Sequence, residues 1–245
     1  MANKYVISDN LRKNKMIADY IYHFMPLHRS GREKEDLEHV KSAILHAEYF
    51  FGSPLDFNDP FDCKPNFRTK IKDSVNRKTL QNQLQENLER AGIFCLAEEL
   101  YNTLMWSHYA NSHKGIALQF STEQIRMGID GMGIMDKVTY HNELPTINPW
   151  EADKLKQMMG IIFRKSKRWT FENEVRIVLL EVISRTLKLP KMPVRNIYFG
   201  CKIDANDESE LIQVCQGRTK SIYRLQMSST QYAYKRKPVK VCGVA

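Results

Sequence analysis

The chain contains 245 residues, of which 42% are hydrophobic and 10% aromatic, and it carries a formal net charge of +9. That is material for one large domain or two small ones, and we expect a single domain over residues 1–245. No run of about eighteen apolar residues occurs, which excludes a membrane-spanning helix, and the five scattered cysteines, without a Cys-x-x-Cys pair, exclude a disulfide framework or a zinc ribbon.

The polar start MANKYVISDNLRKNK lacks the apolar stretch and small-residue cleavage site of a secretory signal. The expectation is therefore a cytoplasmic protein with reduced thiols, no membrane association and no disulfide-linked partner. The seven histidines are equally dispersed. The nearest approach to ligand spacing, His108 with His113, has no carboxylate or cysteine beside it, so no metal is expected.

In chain order, KMIADYIYHFMP spaces its aromatic residues for a buried turn or a short strand. EKEDLEHVKSAILHA carries Leu37, Val40, Ile44 and Leu45 at helical spacing, with acidic residues in the first turn, where the dipole favours them. EYFFGS reads as a strand stopped by Gly52, Ser53 and Pro54, and LDFNDPFDC as a loop in which Pro60 biases its predecessor away from helix. VNRKTLQNQLQENLERA is an amphipathic helix ended by Gly92. GIFCLA is β-prone, ELYNTLMWSHYANSH is predicted helical up to Lys114-Gly115, and GIALQF is a strand. Ser121 with Gln124 forms a capping box for STEQIRMGI.

IMDKVTYH alternates like a strand, NELPTINPW is a loop, and Trp150 to Lys167 is predicted helical with Leu155, Met158, Met159, Ile162 and Phe163 inward. FENEVRIVLLE, RTLKLP, VRNIYFG and SIYRLQM follow as strands, the last with QYAYK as partner. A helix from Asp207 to Gln216, capped by Asn206 or Asp207, lies between them. The fold class expected is α+β, a mixed or antiparallel sheet in the C-terminal half with helices from the N-terminal half packed against it.

Much of the positive excess sits in RKSKR (164–168) and YKRKPVK (234–240), the latter within a basic strand or tail over about 230–245. Each run alone reads as a solvated face or tail; together they favour phosphate-rich partners through counterion release. The glycine-rich phosphate and dinucleotide loops and the G-x-S-x-G elbow are absent.

Four stretches resist a purely structural account. FNDPFDC holds Asn58, Asp59 and Asp62 among Phe57, Pro60 and Phe61, either as a ligand-binding loop or as a turn hydrogen-bonding its own backbone. MWSHYANSHKG places Met105, His108 and Tyr109 on one helix face and Trp106 nearby, a stacking surface with an imidazole or else a core helix stopped at Lys114-Gly115. KSKRWTFENEVR, as a strand, would set Glu172, Glu174 and Arg176 on one side. Such a carboxylate pair is either a general acid/base with Arg176 restraining one member, or an ion pair at a strand start. VRNIYFGCKI ends at Gly200-Cys201, where glycine allows close approach.

These stretches resemble the bacterial family catalogued as domain of unknown function 2971, which carries "FNDPFD", "CFS", "MWSHYA.sHKGI", "K..W..E.E.R" and late "I.FG" elements. The corresponding residues are Ser53 to Cys63, Ile93 to Ala97, Met105 to Ile116, Lys165 to Arg176 and Ile197 to Gly200, over roughly positions 20 to 200. The resemblance implies no activity, although a role as a toxin or in phage defence is suspected of orphan families of this kind.

A weaker resemblance is to ADP-ribosyltransferases, whose elements follow the order of Tyr22-His23, Phe94-Cys95-Leu96-Ala97 and Glu172-x-Glu174. It implies NAD as a substrate, Glu174 holding a ribose hydroxyl, His23 positioning the adenosine ribose, and Tyr109 or Trp106 stacking on nicotinamide. Leu96-Ala97 stands where a hydroxyl residue is expected. Two other classes stand beside it: a metal-independent RNA nuclease using His108 with Glu172 or Glu174, or a nucleic-acid binder using the basic segments; and a non-catalytic partner-binding module. The candidate catalytic residues are thus Glu174, Glu172 and His108, and the candidate binding residues Tyr22, His23, Asn58, Asp59, Asp62, Trp106, Tyr109, Lys114 and Arg176.

Overall fold

The computed structural model describes residues 16–67, 74–148, 151 and 153–239. Trp150, the polar first fifteen residues and the tail beyond residue 239 lie outside the described residues. The chain gathers into two compact units, one built on residues up to Phe50, Leu96–Gly131 and residues from Thr186, the other on Phe51–Cys95 and Met132–Arg185.

In the first unit, β1 (Tyr20–Met25), β4 (Ile116–Ser121), β10 (Asn196–Phe199), β11 (Ser221–Met227) and β12 (Tyr234–Pro238) lie in the order β12-β11-β10-β4-β1. All pairings are antiparallel except the parallel β10–β11 pair. Ala97, at the end of β3 (Gly92–Ala97), pairs with Tyr22 of β1. One sheet face is closed by Ile21, Leu118, Phe120, Ile197, Phe199 and Ile222, all buried. The period of two in these strands puts their alternate residues on the other face. A second, two-stranded ladder joins β2 (Glu48–Phe50) to β9 (Thr186–Lys188).

Helix α1 (Glu33–His46) carries its acidic residues in the first turn and buries Val40 and Ile44, as the spacing predicts, together with Ala43, while Leu37 and Leu45 are half-buried. It packs on α6 (Ala205–Cys215), where Lys41 bridges Glu38 and Glu210 at 3.0 and 2.7 Å. The cap of α6 is Asp204, whose side chain accepts from Asn206 N, rather than Asn206 or Asp207. Asp207 points back instead and bonds His28 Nε2 at 2.7 Å.

That bond raises the His28 pKa, chiefly through the Asp207 hydrogen bond. A raised folded pKa stabilises below the unfolded value near 6.5 and the gain disappears as pH rises through the folded value. Wild-type protein should therefore lose a little melting temperature between about pH 6 and 8 relative to Asp207→Asn. Parallel pH profiles of the two proteins would sink the assignment.

In the second unit, β3, β5 (Ile134–Lys137) and β8 (Glu174–Leu179) lie in the order β3-β8-β5, and β6 (Thr139–His141) pairs in parallel with β7 (Arg164–Ser166). Helices α2 (Ser74–Arg90) and α5 (Lys154–Ile162) supply Leu84, Leu88, Met158, Met159, Ile161 and Ile162 to one core with Ile93, Ile147 and Val178. α2 ends at Arg90, just ahead of Gly92 as expected, and Gly92 is also the first residue of β3, where a Cβ would lie 3.0 Å from Phe51 and 2.8 Å from Val182. The helix expected to reach Lys167 ends at Ile162, because Arg164–Ser166 pairs with β6.

The α+β class expected from the sequence holds, with a mostly antiparallel sheet. No helix among the described residues is long and apolar enough to cross a membrane, and Cys63, Cys95, Cys201 and Cys215 are free thiols.

Candidate functional site

Each unit carries one constellation of polar residues. In the second unit, residues Lys167–Glu172 form a 3₁₀ turn, not the start of a strand, and Asn173 closes it in the left-handed region with φ 42°. Asparagine tolerates that conformation better than most residues. The turn lifts Glu172 off the strand and leaves Glu174 as the first residue of β8, so the two carboxylates approach from different elements.

Between them lies Lys165 of β7. Its Nζ is 2.6 Å from Glu172 Oε2 and 3.4 Å from both Glu174 Oε2 and Asp62 Oδ2, while the ring of Trp169 covers it at 4.9 Å. Arg176 completes the cluster and is fully buried. Its Nε and Nη2 donate to the two oxygens of Glu174 at 2.7 and 3.0 Å. Its Nη1 and Nη2 donate to the two oxygens of Asp62 at 3.0 and 2.6 Å. Nη1 also reaches Ile162 O at 2.5 Å, and Phe57 lies under the guanidinium at 5.1 Å.

Burial opposes ionisation of Glu174, but Arg176 and then Lys165 outweigh it and hold its pKa at about 2. The Cys95 thiol bonds the same carboxylate and is itself pushed well up by burial. Burial likewise raises Cys63 and Tyr140, whose hydroxyl accepts from Glu174 N at 2.9 Å. Each oxygen of Glu174 is engaged by a cation, so a ribose hydroxyl gains this carboxylate only by breaking an ion pair. Glu172 and Glu174 are thus counter-ions to Lys165 and Arg176 in this geometry. Lys165, expected on a solvated basic face, is 7% exposed.

The FNDPFDC loop divides in two. Asp59 accepts from Phe61 N at 2.9 Å, the self-bonded turn, and Asn58 and Phe61 are exposed. Asp62 and Phe57 turn inward onto Arg176.

In the first unit the MWSHYA helix is short. α3 (Thr103–Tyr109), capped by Asn102, gives way to three successive left-handed residues, Asn111, Ser112 and His113, with φ 43°, 55° and 71°. Bonds from Ser112 N to Ser107 O, His113 N to Trp106 O and Gly115 N to Ala110 O hold the turn, and Asn111 Nδ2 donates to Leu27 O at 2.6 Å. Trp106 is fully buried, donates to Leu100 O at 2.6 Å and packs edge-on to Phe24, so it is a core residue and not a stacking surface. His108 and Lys114 are exposed, and Tyr109 is half-buried. Tyr22 and His23, adjacent on β1, face opposite sides of the sheet, with registers to Gln119 and Leu118.

The face that Tyr22 shares is built from alternate residues of β1, β4, β10, β11 and β12. Gln119 Nε2 donates to Tyr22 Oη at 3.0 Å, and Asn196 Nδ2 donates to Gln119 Oε1 at 2.6 Å. Asn196 Oδ1 is shielded from solvent without a hydrogen-bond partner. Tyr22 meets Tyr198 edge-on at 5.9 Å, Tyr198 stacks on Tyr223 at 5.1 Å, and Arg236 lies 5.1 Å from the Tyr223 ring centre. Tyr20 carries Arg195 over its ring at 4.8 Å. Tyr101 stands within electrostatic range of Tyr22 and Arg236. Burial raises both Tyr22 and Tyr198, so both rings keep their protons at neutral pH.

Of the residues expected from sequence, Asp62, Glu172, Glu174 and Arg176 converge in one unit, and Tyr22 joins a different group in the other. Lys165, Cys95, Gln119, Asn196, Tyr198, Tyr223 and Arg236 were not among the candidate site residues. The period-two pattern of VRNIYFG and SIYRLQM already placed Asn196, Tyr198 and Tyr223 on one side of their strands; register alone was needed to align them.

Residues 105–177 match the model of a family described as protein of unknown function (DUF2971), and the chain resembles that family. The matched segment takes in MWSHYANSHKGI and KSKRWTFENEVR but not FNDPFDC or VRNIYFG, so it is shorter than the span of about 20 to 200 expected from the motifs. No curated protein and no solved structure gives a match.

Proposed function

We propose that this chain is a nucleic-acid-binding protein whose contact surface is the tyrosine-bearing face of the first unit and the basic strand β12 beside it. The observation that carries the reading is the placement of Lys235, Arg236 and Lys237 on an exposed edge strand, Arg236 on the side of the partly exposed tyrosines and Lys235 and Lys237 on the other side of that edge. Cations on such a strand release counterions when they meet phosphates, and a net charge of +9 adds long-range attraction. The ADP-ribosyltransferase reading draws no comparable support, since Glu174 is tied up by Arg176 and Lys165.

The test is fluorescence anisotropy of a labelled oligonucleotide across a salt series. Binding should weaken with salt, with a log–log slope of about −2 for three phosphate contacts on a single strand. Lys235→Gln with Lys237→Gln should make that slope shallower by about 1.4. Absence of binding, or binding indifferent to salt, rejects the proposal, and release of nicotinamide from NAD that stops in Glu174→Gln would favour the transferase instead.

A further inference from the structure

Resting on that reading, we infer that the ligand is single-stranded nucleic acid, with bases stacking on the sheet face while β12 follows the phosphates. A duplex hides the flat surfaces of its bases and offers only backbone and groove edges, on which surface tyrosines gain no stacking partner. A single strand exposes every base plane, and aromatic rings stack on any base.

The face has the elements that such stacking requires. Tyr20 and Tyr101 are 39% and 41% exposed, with Arg195 over one side of the Tyr20 ring, and these are the rings a base can reach. Behind them Tyr198, only 1% exposed, braces the half-buried Tyr22 and Tyr223 by edge and stacked contacts, so the surface is already ordered before ligand arrives. Preorganised rings lose little entropy on binding. Arg236 and Arg195 lie over Tyr223 and Tyr20, adding guanidinium planes able to stack and charges for phosphate.

A second observation points the same way. Asn196 Oδ1 has no hydrogen-bond partner, although its amide nitrogen is anchored by Gln119. A shielded acceptor left unpaired is costly, and a base reaching the side chain, which is otherwise held by Gln119 and Tyr198, brings amino or imino donors to that acceptor. The bonded row Tyr22–Gln119–Asn196 across β1, β4 and β10 thus holds that acceptor beside the tyrosines, and the charged strand lies at one edge.

The test compares a labelled single strand with the duplex of the same length and sequence at one salt concentration, using the full chain. The single strand should bind about tenfold tighter or more, and Tyr20→Ala and Tyr101→Ala should each weaken it by about tenfold and weaken duplex binding less. Both rings are surface residues, and circular dichroism verifies that the variants fold. Equal or tighter duplex binding, or tyrosine variants that bind like wild type while the Lys235 and Lys237 substitutions still matter, overturns this inference and leaves the broader reading intact. Failure to bind either form overturns both.

Discussion

Arg176→Gln should lower the unfolding free energy by about 3–5 kcal/mol, because it removes the buried partner of two carboxylates at once. Glu174 and Asp62 accept from the guanidinium in two-point fashion and are themselves buried, so the variant must either hold unpaired charge or protonate. Urea titration reads the loss directly, and a midpoint within error of wild type would show that the cluster is not what holds these segments together. The pH dependence follows from the same geometry. A carboxyl whose folded pKa lies at about 2 contributes stability that is complete above its unfolded value near 4.3 and is lost as pH falls toward the folded one. The wild-type curve should therefore steepen below about pH 4, and Glu174→Gln, less stable at neutral pH, should show a shallower acid limb.

Gly200→Ala should be at least as severe, costing more than about 4 kcal/mol. A Cβ at that position would lie 2.1 Å from His113 O and 3.0 Å from Gly115 O, both backbone atoms. Neither can swing aside, since His113 O accepts from Lys202 N and His113 already sits in the left-handed run. The contrast is Gly160→Ala, in α5 with nothing within 4 Å of the added carbon, which should raise stability by about 0.5–1 kcal/mol. Thermal melts of the two variants moving in the same direction would refute the steric account.

The sequence was most legible where one physical rule governs. The acidic first turn and apolar spacing of α1, the Ser121 cap and the strands GIALQF and SIYRLQM follow from dipole, capping and periodicity, and each element stands where those rules put it. It was least legible where a tertiary partner decides. Periodicity cannot show that Arg164–Ser166 leaves a helical pattern to pair with β6, nor that Asn173 adopts a left-handed conformation that takes Glu172 off the strand. The ionic cluster was half visible: Glu174, Arg176 and Asp62 stood out as polar residues amid apolar ones, whereas Lys165 was hidden in a run of basic residues that reads as solvated. The aromatic platform was hidden more thoroughly, because its tyrosines come from separate strands and no single stretch contains two of them at telling spacing except Tyr20 and Tyr22.

The outer strand β12 has one further consequence. A sheet margin offers unpaired amides and carbonyls to any passing strand, and a row of lysine and arginine ending in proline is a known deterrent to such adhesion. In YKRKP the same charges would then keep copies of the protein apart and draw in a polyanion, so stripping them to abolish recognition should also make the protein stickier toward itself.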